Sequence, residues 1–154
     1  AGEKVFVRWT VCLFLGDGQL VQQMKELSKN YSNIHFHKSI SKKDLIPIIS
    51  KSIACFVPLK KGLIMGTSSP NKLFESIGCG SLVLHNTNGW IKNFVQDNKF
   101  GHYFDLNNQT ETNKLILDLA LISGNDIGPL IKERAKLLIS KDVICEKINN
   151  FILN

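Results

Sequence analysis

Short apolar segments alternate along the chain with longer stretches in which apolar residues recur every three or four positions. The short segments lie at 11–15, 33–36, 53–57, 81–84 and 100–104. Apolar segments of this length, bounded by Gly, Pro or Asn, are typical of strands in a parallel sheet. The stretches between them, and residues 109–153, have helical spacing. The alternation predicts an α/β fold in which helices cover both faces of a parallel sheet.

Local signals refine the helical stretches. Ser41 followed by Asp44 indicates a capped helix start, and Pro47 indicates a kink or a two-part helix soon after it. Gly124 and Gly128-Pro129 are expected to interrupt the helical tail.

Composition limits the class of protein. The 154 residues predict a single domain over 1–154, with residues 1–10 left as an irregular start. The chain has no apolar run near the roughly 20 residues of a membrane span and no signal-peptide pattern. The four cysteines lack zinc-ligand spacing, and no metal is expected. Cys12 and Cys55 lie in apolar runs, which predicts buried, reduced thiols and a cytoplasmic location, either free or in peripheral contact with the inner face of the membrane.

The net charge of +6 arises from 19 basic and 13 acidic residues. Such an excess is typical of a solvated lysine-rich surface, of an anionic ligand, or of contact with an anionic membrane. Because the aromatic residues lie mostly inside apolar segments, binding to nucleic acid is not expected. The candidates for peripheral membrane contact are Lys132, Arg134, Lys136 and Lys141 of the late helices.

The segment Gly-Thr-Ser-Ser-Pro-Asn-Lys-Leu-Phe-Glu at 66–75 combines a helix start with charged and hydroxyl side chains. Ser69 is a favourable N-cap, and Pro70 fits the first helical position. The unpaired N–H groups of a helix start attract a diphosphate, to which Lys72 adds a full positive charge. Glu75 lies one turn later, where a carboxylate suits ribose hydroxyls. The alternative is a capped helix with a solvated Glu–Lys surface.

Two further features follow strand ends. Gly16-Asp17-Gly18 is either a tight turn or a place where the backbone approaches a ligand, and it lacks the third glycine of a dinucleotide fingerprint. His35 and His37 are interpreted as structural or loop residues. His85 ends the fourth predicted strand, so it faces the expected cleft and is a candidate for substrate contact.

The chain resembles a known family in several of its segments. The segments "FLGDGQL", "NIHFHKSISKKDL", "IACFVPLKKG", "SSPNKLFESIGCGSLVL" and "FGHYF" are similar to the C-terminal domain of glycosyltransferase family 4, in particular to bacterial enzymes of surface-polysaccharide synthesis. The resemblance covers about residues 11–105, and the Ser-Pro-Asn-Lys-Leu-Phe-Glu segment is its most specific part.

The resemblance implies a Rossmann-like domain that is the donor-binding half of a GT-B fold. Such a half holds a nucleoside-diphosphate sugar, for example a UDP-sugar, and works without a metal or other cofactor. Transfer of the sugar to a glycan or lipid-linked acceptor retains the anomeric configuration and needs an N-terminal domain that this chain lacks. Glu75 and Lys72 are the implied catalytic residues. The implied donor-binding residues are Gly16, Asp17, Gly18, Lys38, Ser39, Thr67, Ser68, Ser69, Pro70, Asn71, Lys72 and Glu75.

Two departures from the family pattern stand out. Thr67 occupies the position at which many relatives have a sugar-contacting glutamate, eight residues before Glu75. The family's Arg and Lys for the leaving diphosphate have no counterpart in residues 1–10, which indicates a diverged or shortened start. The alternatives are a GT-B-like nucleotide-sugar epimerase and a non-catalytic interaction domain that keeps the fold.

Overall fold

Five short strands alternate with helices in the computed structural model, which describes residues 10–59, 67–122 and 124–153. The strands are β1 (Cys12–Leu15), β2 (Ile34–His37), β3 (Ala54–Val57), β4 (Leu82–His85) and β5 (Gly101–Tyr103). The helices are α1 (Val21–Ser28), α2 (Lys42–Lys51), α3 (Asn71–Cys79), α4 (Trp90–Asp97), α5 (Gln109–Ala120), α6 (Gly124–Ile139) and α7 (Lys141–Leu153).

The strand pairs among these described residues are parallel. β1 pairs with β2, which places Phe14 opposite Phe36. β3, β4 and β5 pair in that order, which places Val57, His85 and Tyr103 side by side. Because parallel neighbours are connected through α1, α3 and α4, the chain is built from βαβ units. The α/β architecture with Rossmann-like character is therefore confirmed.

The described residues divide into two compact units, one up to Pro47 and one from Ile48 onward. The well-packed core lies in the second unit, where β4 is buried along its whole length between its two neighbours. Helix α3 adds Leu73 and Ile77 to this core, and helix α4 adds Ile91 and Val95. Each such side chain stabilises the fold by about 1.5–3 kcal/mol relative to an exposed one.

The first unit is less buried than the second, because no described residue from 10 to 47 is fully buried. Val11 is 61% exposed, and Phe14 stacks on Phe36 at 5.0 Å while remaining partly exposed. The prediction of a buried strand at 11–15 is therefore wrong as to burial. An apolar run specifies an extended segment, but two strands and short helices have few side chains with which to cover it.

The cysteines are likewise less buried than predicted. Cys12 and Cys55 are half-buried, and both are free thiols. Burial nevertheless raises the pKa of the Cys12 thiol above its usual value, because the thiolate is poorly solvated there.

Two prolines lie inside helices. A kink or a two-part helix was expected at Pro47, and an interruption of the helical tail was expected at Gly128-Pro129. Helix α2 continues through Pro47 to Lys51, so the two-part helix is not formed. Helix α6 likewise runs through Gly128-Pro129, although it does begin at Gly124. Proline removes one backbone N–H donor from the helix, and both helices nevertheless continue past it. The capped start at Ser41 is confirmed, since the Asp44 N–H donates to Ser41 Oγ at 3.3 Å.

Candidate functional site

The start of α3 differs by one residue from the prediction. The helix begins at Asn71, and its N-cap is Pro70 in an extended conformation, with φ −72° and ψ 126°. The prediction that Ser69 is the N-cap and Pro70 the first helical residue is therefore wrong. Pro70 supplies no side-chain hydrogen bond to the first turn, although its carbonyl accepts from the Leu73 N–H at 3.0 Å. The first N–H groups of α3 consequently receive no capping side chain from the N-cap position.

This helix start lies at the carboxyl edge of the three-stranded sheet. The indole Nε1 of Trp90, five residues after the end of β4, donates to the carbonyl of Ser68 at 3.2 Å. The Trp90 ring also stacks on Phe74 of α3, with ring centroids 6.4 Å apart. Both contacts place the residues before α3 beside the loop that follows β4. In parallel α/β sheets this edge is where ligands bind.

Asn86 connects two strand ends at the same edge of the sheet. Its Oδ1 accepts from the Leu59 N–H at 2.9 Å, and its Nδ2 donates to the Leu59 carbonyl at 3.0 Å. The double hydrogen bond connects the end of β3 to the end of β4. Neither this bridge nor the Trp90 contact follows from the sequence, because both depend on residues more than twenty positions apart.

The predicted ligand-binding residues around α3 share one neighbourhood. Asn71 and Lys72 are exposed in the first turn of the helix. Glu75 is half-buried four positions after Asn71, so the two lie on the same side of the helix. The residues that lead into the helix are exposed Thr67, half-buried Ser68, exposed Ser69 and half-buried Pro70. This arrangement combines backbone N–H groups, one positive charge and one carboxylate within two turns.

The other predicted donor contacts belong to the first unit. Asp17 Oδ2 accepts from the Ser39 N–H at 2.9 Å, and the Gly16 N–H donates to the His37 carbonyl at 3.0 Å. The loops after β1 and β2 are therefore held side by side. Gly18 and Lys38 lie in these two loops and are exposed.

The histidines differ from one another in their exposure to solvent. His35 and His37 are exposed on β2 and His102 is exposed on β5. His85, predicted to face the cleft, ends β4 but is fully buried at 0% exposure. Its ring lies edge-on to Tyr103, and burial lowers the pKa of its imidazole, an effect that the nearby Lys92 charge reinforces. The residue is therefore neutral near pH 7.

A separate cavity of about 570 Å³ lies between β5 and the late helices. Its walls include Lys99, Gly101, Glu111 and Leu115. The residues predicted to bind a donor do not line it.

Two general features of the described residues bear on chemistry. Within ranges 10–59, 67–122 and 124–153, no three His, Cys, Asp or Glu side chains are grouped so as to hold a metal ion. None of the helices described there combines the length and apolar character needed to cross a membrane.

Comparison with known proteins does not assign a family. No family model, curated protein or solved structure matches the chain. Membership of a glycosyltransferase family therefore stays a prediction from the sequence motifs.

Proposed function

We propose that this chain is the donor-binding half of a GT-B glycosyltransferase that holds a nucleoside-diphosphate sugar at the start of α3. The supporting observation is the position of that helix start, at the carboxyl edge of a parallel sheet, with Asn71 and Lys72 exposed. A helix of nine residues directs its dipole towards this point. Backbone N–H groups together with an ammonium group suit a diphosphate.

The chemical task of such a site is to stabilise the departing nucleoside diphosphate. As the bond to the sugar breaks, negative charge grows on the diphosphate oxygens while the sugar acquires oxocarbenium character. Lys72 and the first N–H groups of α3 stabilise that charge electrostatically, since they are positioned before the reaction starts. No step of this proposed mechanism is assigned to a metal ion.

Glu75 is assigned to the ribose. A carboxylate close to a diphosphate would be repelled, but one turn along the helix it lies near the sugar of the nucleoside. Ribose hydroxyls are donors, and an ionised carboxylate is an acceptor only, so the pairing is chemically matched.

The acceptor, a glycan or a lipid-linked saccharide, is assigned to a further domain of GT-B type. The fold assigned to the complete donor half is a Rossmann-like sheet with helices on both faces. The basic residues of the late helices are assigned to peripheral contact with an anionic membrane, where a lipid-linked acceptor would lie.

Calorimetric titration with UDP, GDP and inorganic pyrophosphate tests this function. We expect the chain to bind at least one nucleoside diphosphate in the millimolar range, and more tightly than pyrophosphate. Glu75→Gln should weaken nucleotide binding about tenfold, because a hydrogen bond to a charged group contributes about 1.5–3 kcal/mol. Glu133→Gln, at an exposed position on α6, is the matched control.

Two results would contradict the proposal. One is the absence of nucleotide binding at millimolar concentrations. The other is equal binding by the wild type, Glu75→Gln and Glu133→Gln, which would show that Glu75 does not contact the nucleotide.

A further inference from the structure

Two buried polar atoms near the proposed site have no hydrogen-bond partner within the described part of the chain. They are Nε2 of His85, whose side chain is 0% exposed, and Oγ1 of Thr87, whose residue is 7% exposed. Buried polar groups in native proteins are nearly always paired, so each exception asks for an explanation.

The protonation of His85 follows from its other ring nitrogen. The Thr87 N–H donates to Nδ1 at 3.4 Å, so Nδ1 is an acceptor. With Nδ1 accepting, a neutral imidazole carries its single proton on Nε2. The unpartnered atom is therefore a hydrogen-bond donor, and it lies two residues from a hydroxyl that both donates and accepts.

These two groups belong to the same sheet edge as the α3 start. His85 ends β4, and Thr87 follows Asn86, which is anchored to Leu59 by two hydrogen bonds. Three residues after Thr87, Trp90 binds the Ser68 carbonyl ahead of α3. The turn from 85 to 90 therefore lies against the approach to the proposed diphosphate site.

Resting on the proposed function, we propose that the His85 Nε2–H and the Thr87 hydroxyl bind the hexosyl group of the nucleotide sugar. Ribose is assigned to Glu75 and the diphosphate to the helix start, so the transferred sugar is the part of the donor that extends beyond Ser68. A sugar hydroxyl accepts from an imidazole N–H and exchanges hydrogen bonds with a threonine hydroxyl.

Because both groups are buried, the proposal requires the short turn before α4 to move when the sugar binds. The turn contains exposed Asn88 and exposed Gly89. Gly89 has φ 80° and ψ −145°, a conformation that side-chain-bearing residues rarely adopt. A glycine there gives the turn conformational freedom next to the buried pair.

NMR of the wild-type chain separates this inference from the function on which it rests. UDP-glucose, UDP-N-acetylglucosamine, GDP-mannose, UDP and GDP are titrated in turn. Amide shifts of Asn71 and Lys72 report binding at the helix start, while the His85 ring ¹⁵N and Nε2–H signals report the proposed sugar contact. We expect at least one sugar nucleotide to shift both sets, and UDP or GDP to shift the amides alone. The exposed His102 ring is the internal control.

A variant tests the same contact by affinity. Thr87→Val removes the hydroxyl at nearly constant volume and does not create a buried unpaired group, so folding should be retained. We expect it to reduce the affinity ratio of sugar nucleotide to free nucleotide about tenfold. Thr110→Val, at an exposed position on α5, should leave that ratio unchanged.

The outcomes are distinguishable. If sugar nucleotides shift the α3 amides but leave the His85 ring unchanged, or if Thr87→Val keeps the wild-type ratio, the sugar contact is overturned and the proposed function stands. If no nucleotide shifts the α3 amides, both are overturned.

Discussion

Gly101 brings the backbone of β5 against that of β4 so closely that a Cβ at this position would overlap the Val83 carbonyl oxygen. Gly101→Ala therefore forces the two strands apart, and we expect a loss of about 1–3 kcal/mol in the free energy of unfolding. Gly78→Ala is the matched control, because nothing lies within 4 Å of a Cβ at Gly78 in α3. Alanine there should stabilise the helix by about 0.5–1 kcal/mol.

Urea denaturation of the wild type and the two variants measures both effects. A Gly101→Ala variant as stable as the wild type would show that the close strand contact does not exist in solution.

His85 makes the stability of the protein depend on pH. Burial lowers the pKa of its imidazole in the folded state, whereas the unfolded chain titrates near the usual 6.5. Below about pH 6.5 the unfolded state therefore binds a proton that the folded state does not. Stability falls as the pH drops through this window, by up to about 1.4 kcal/mol per pH unit from this residue.

The measurement compares unfolding free energies on the two sides of this window, at about pH 7.5 and about pH 5.5. We expect His85→Gln to show a smaller fall than the wild type, and His102→Gln, at an exposed position, to fall like the wild type. Equal falls in all three proteins would mean that His85 is solvated and titrates normally.

At the residue scale the sequence predicts short-range contacts better than burial. The Ser41–Asp44 pair was predictable because both partners lie within one turn. The burial of His85 was not, since it depends on what packs over the end of β4. One signal was available: Leu82, Val83 and Leu84 before His85 are apolar on both alternating faces, which is typical of an inner strand.

At the element scale the two units should differ in local stability. The Gly16 N–H donates to the His37 carbonyl at 3.0 Å, and the Phe104 N–H donates to the His85 carbonyl at 2.8 Å. These bonds hold equivalent strand ends, one in a unit whose described residues, 10–47, include none that is fully buried, and one beside the core. We expect the Gly16 amide to exchange faster by more than about tenfold, equivalent to about 1.4 kcal/mol of opening free energy.

Native-state hydrogen exchange at low denaturant measures this difference. Equal protection of the two amides would show that the first unit is covered in solution and opens only with the whole chain.

The described strands were predictable from the apolar pattern, with ends displaced by one or two residues, whereas the break at Ser140 between α6 and α7 was not predicted. The predictions of helix starts were less accurate where a proline is involved. The start at Asn71 in place of Pro70, and the continuity of α2 through Pro47, both depart from what the local sequence signals predict.

At the scale of the whole molecule, the net charge of +6 predicts attraction to anionic surfaces. We expect binding to vesicles that contain phosphatidylglycerol, with loss of binding as salt rises from about 0.05 to about 0.5 M. Lys136→Glu combined with Lys141→Glu should weaken it more than Lys25→Glu combined with Lys43→Glu. Arg134 is left intact, because its Nη1 donates to the carbonyls of Asn98 and Lys99.

Vesicle co-sedimentation measures the effect. Equal losses from both pairs of substitutions would show that attraction depends on overall charge, without a preferred face.

The candidate site was proposed from the sequence as a list of residues, whereas their arrangement comes only from the fold. The motif at 67–75 predicts binding of phosphate and ribose, because residue types and spacing are read directly from the chain. The contacts that locate it, from Trp90 to Ser68 and from Asn86 to Leu59, join distant segments and emerge only on folding.

The most direct test of the central claim is an amide NMR titration of the wild-type chain with a nucleoside diphosphate, compared with inorganic phosphate. We expect saturable shifts centred on Asn71, Lys72 and Leu73, with phosphate producing smaller changes at the same residues. Shifts spread evenly over exposed lysines, or none at the start of α3, would contradict a donor site there.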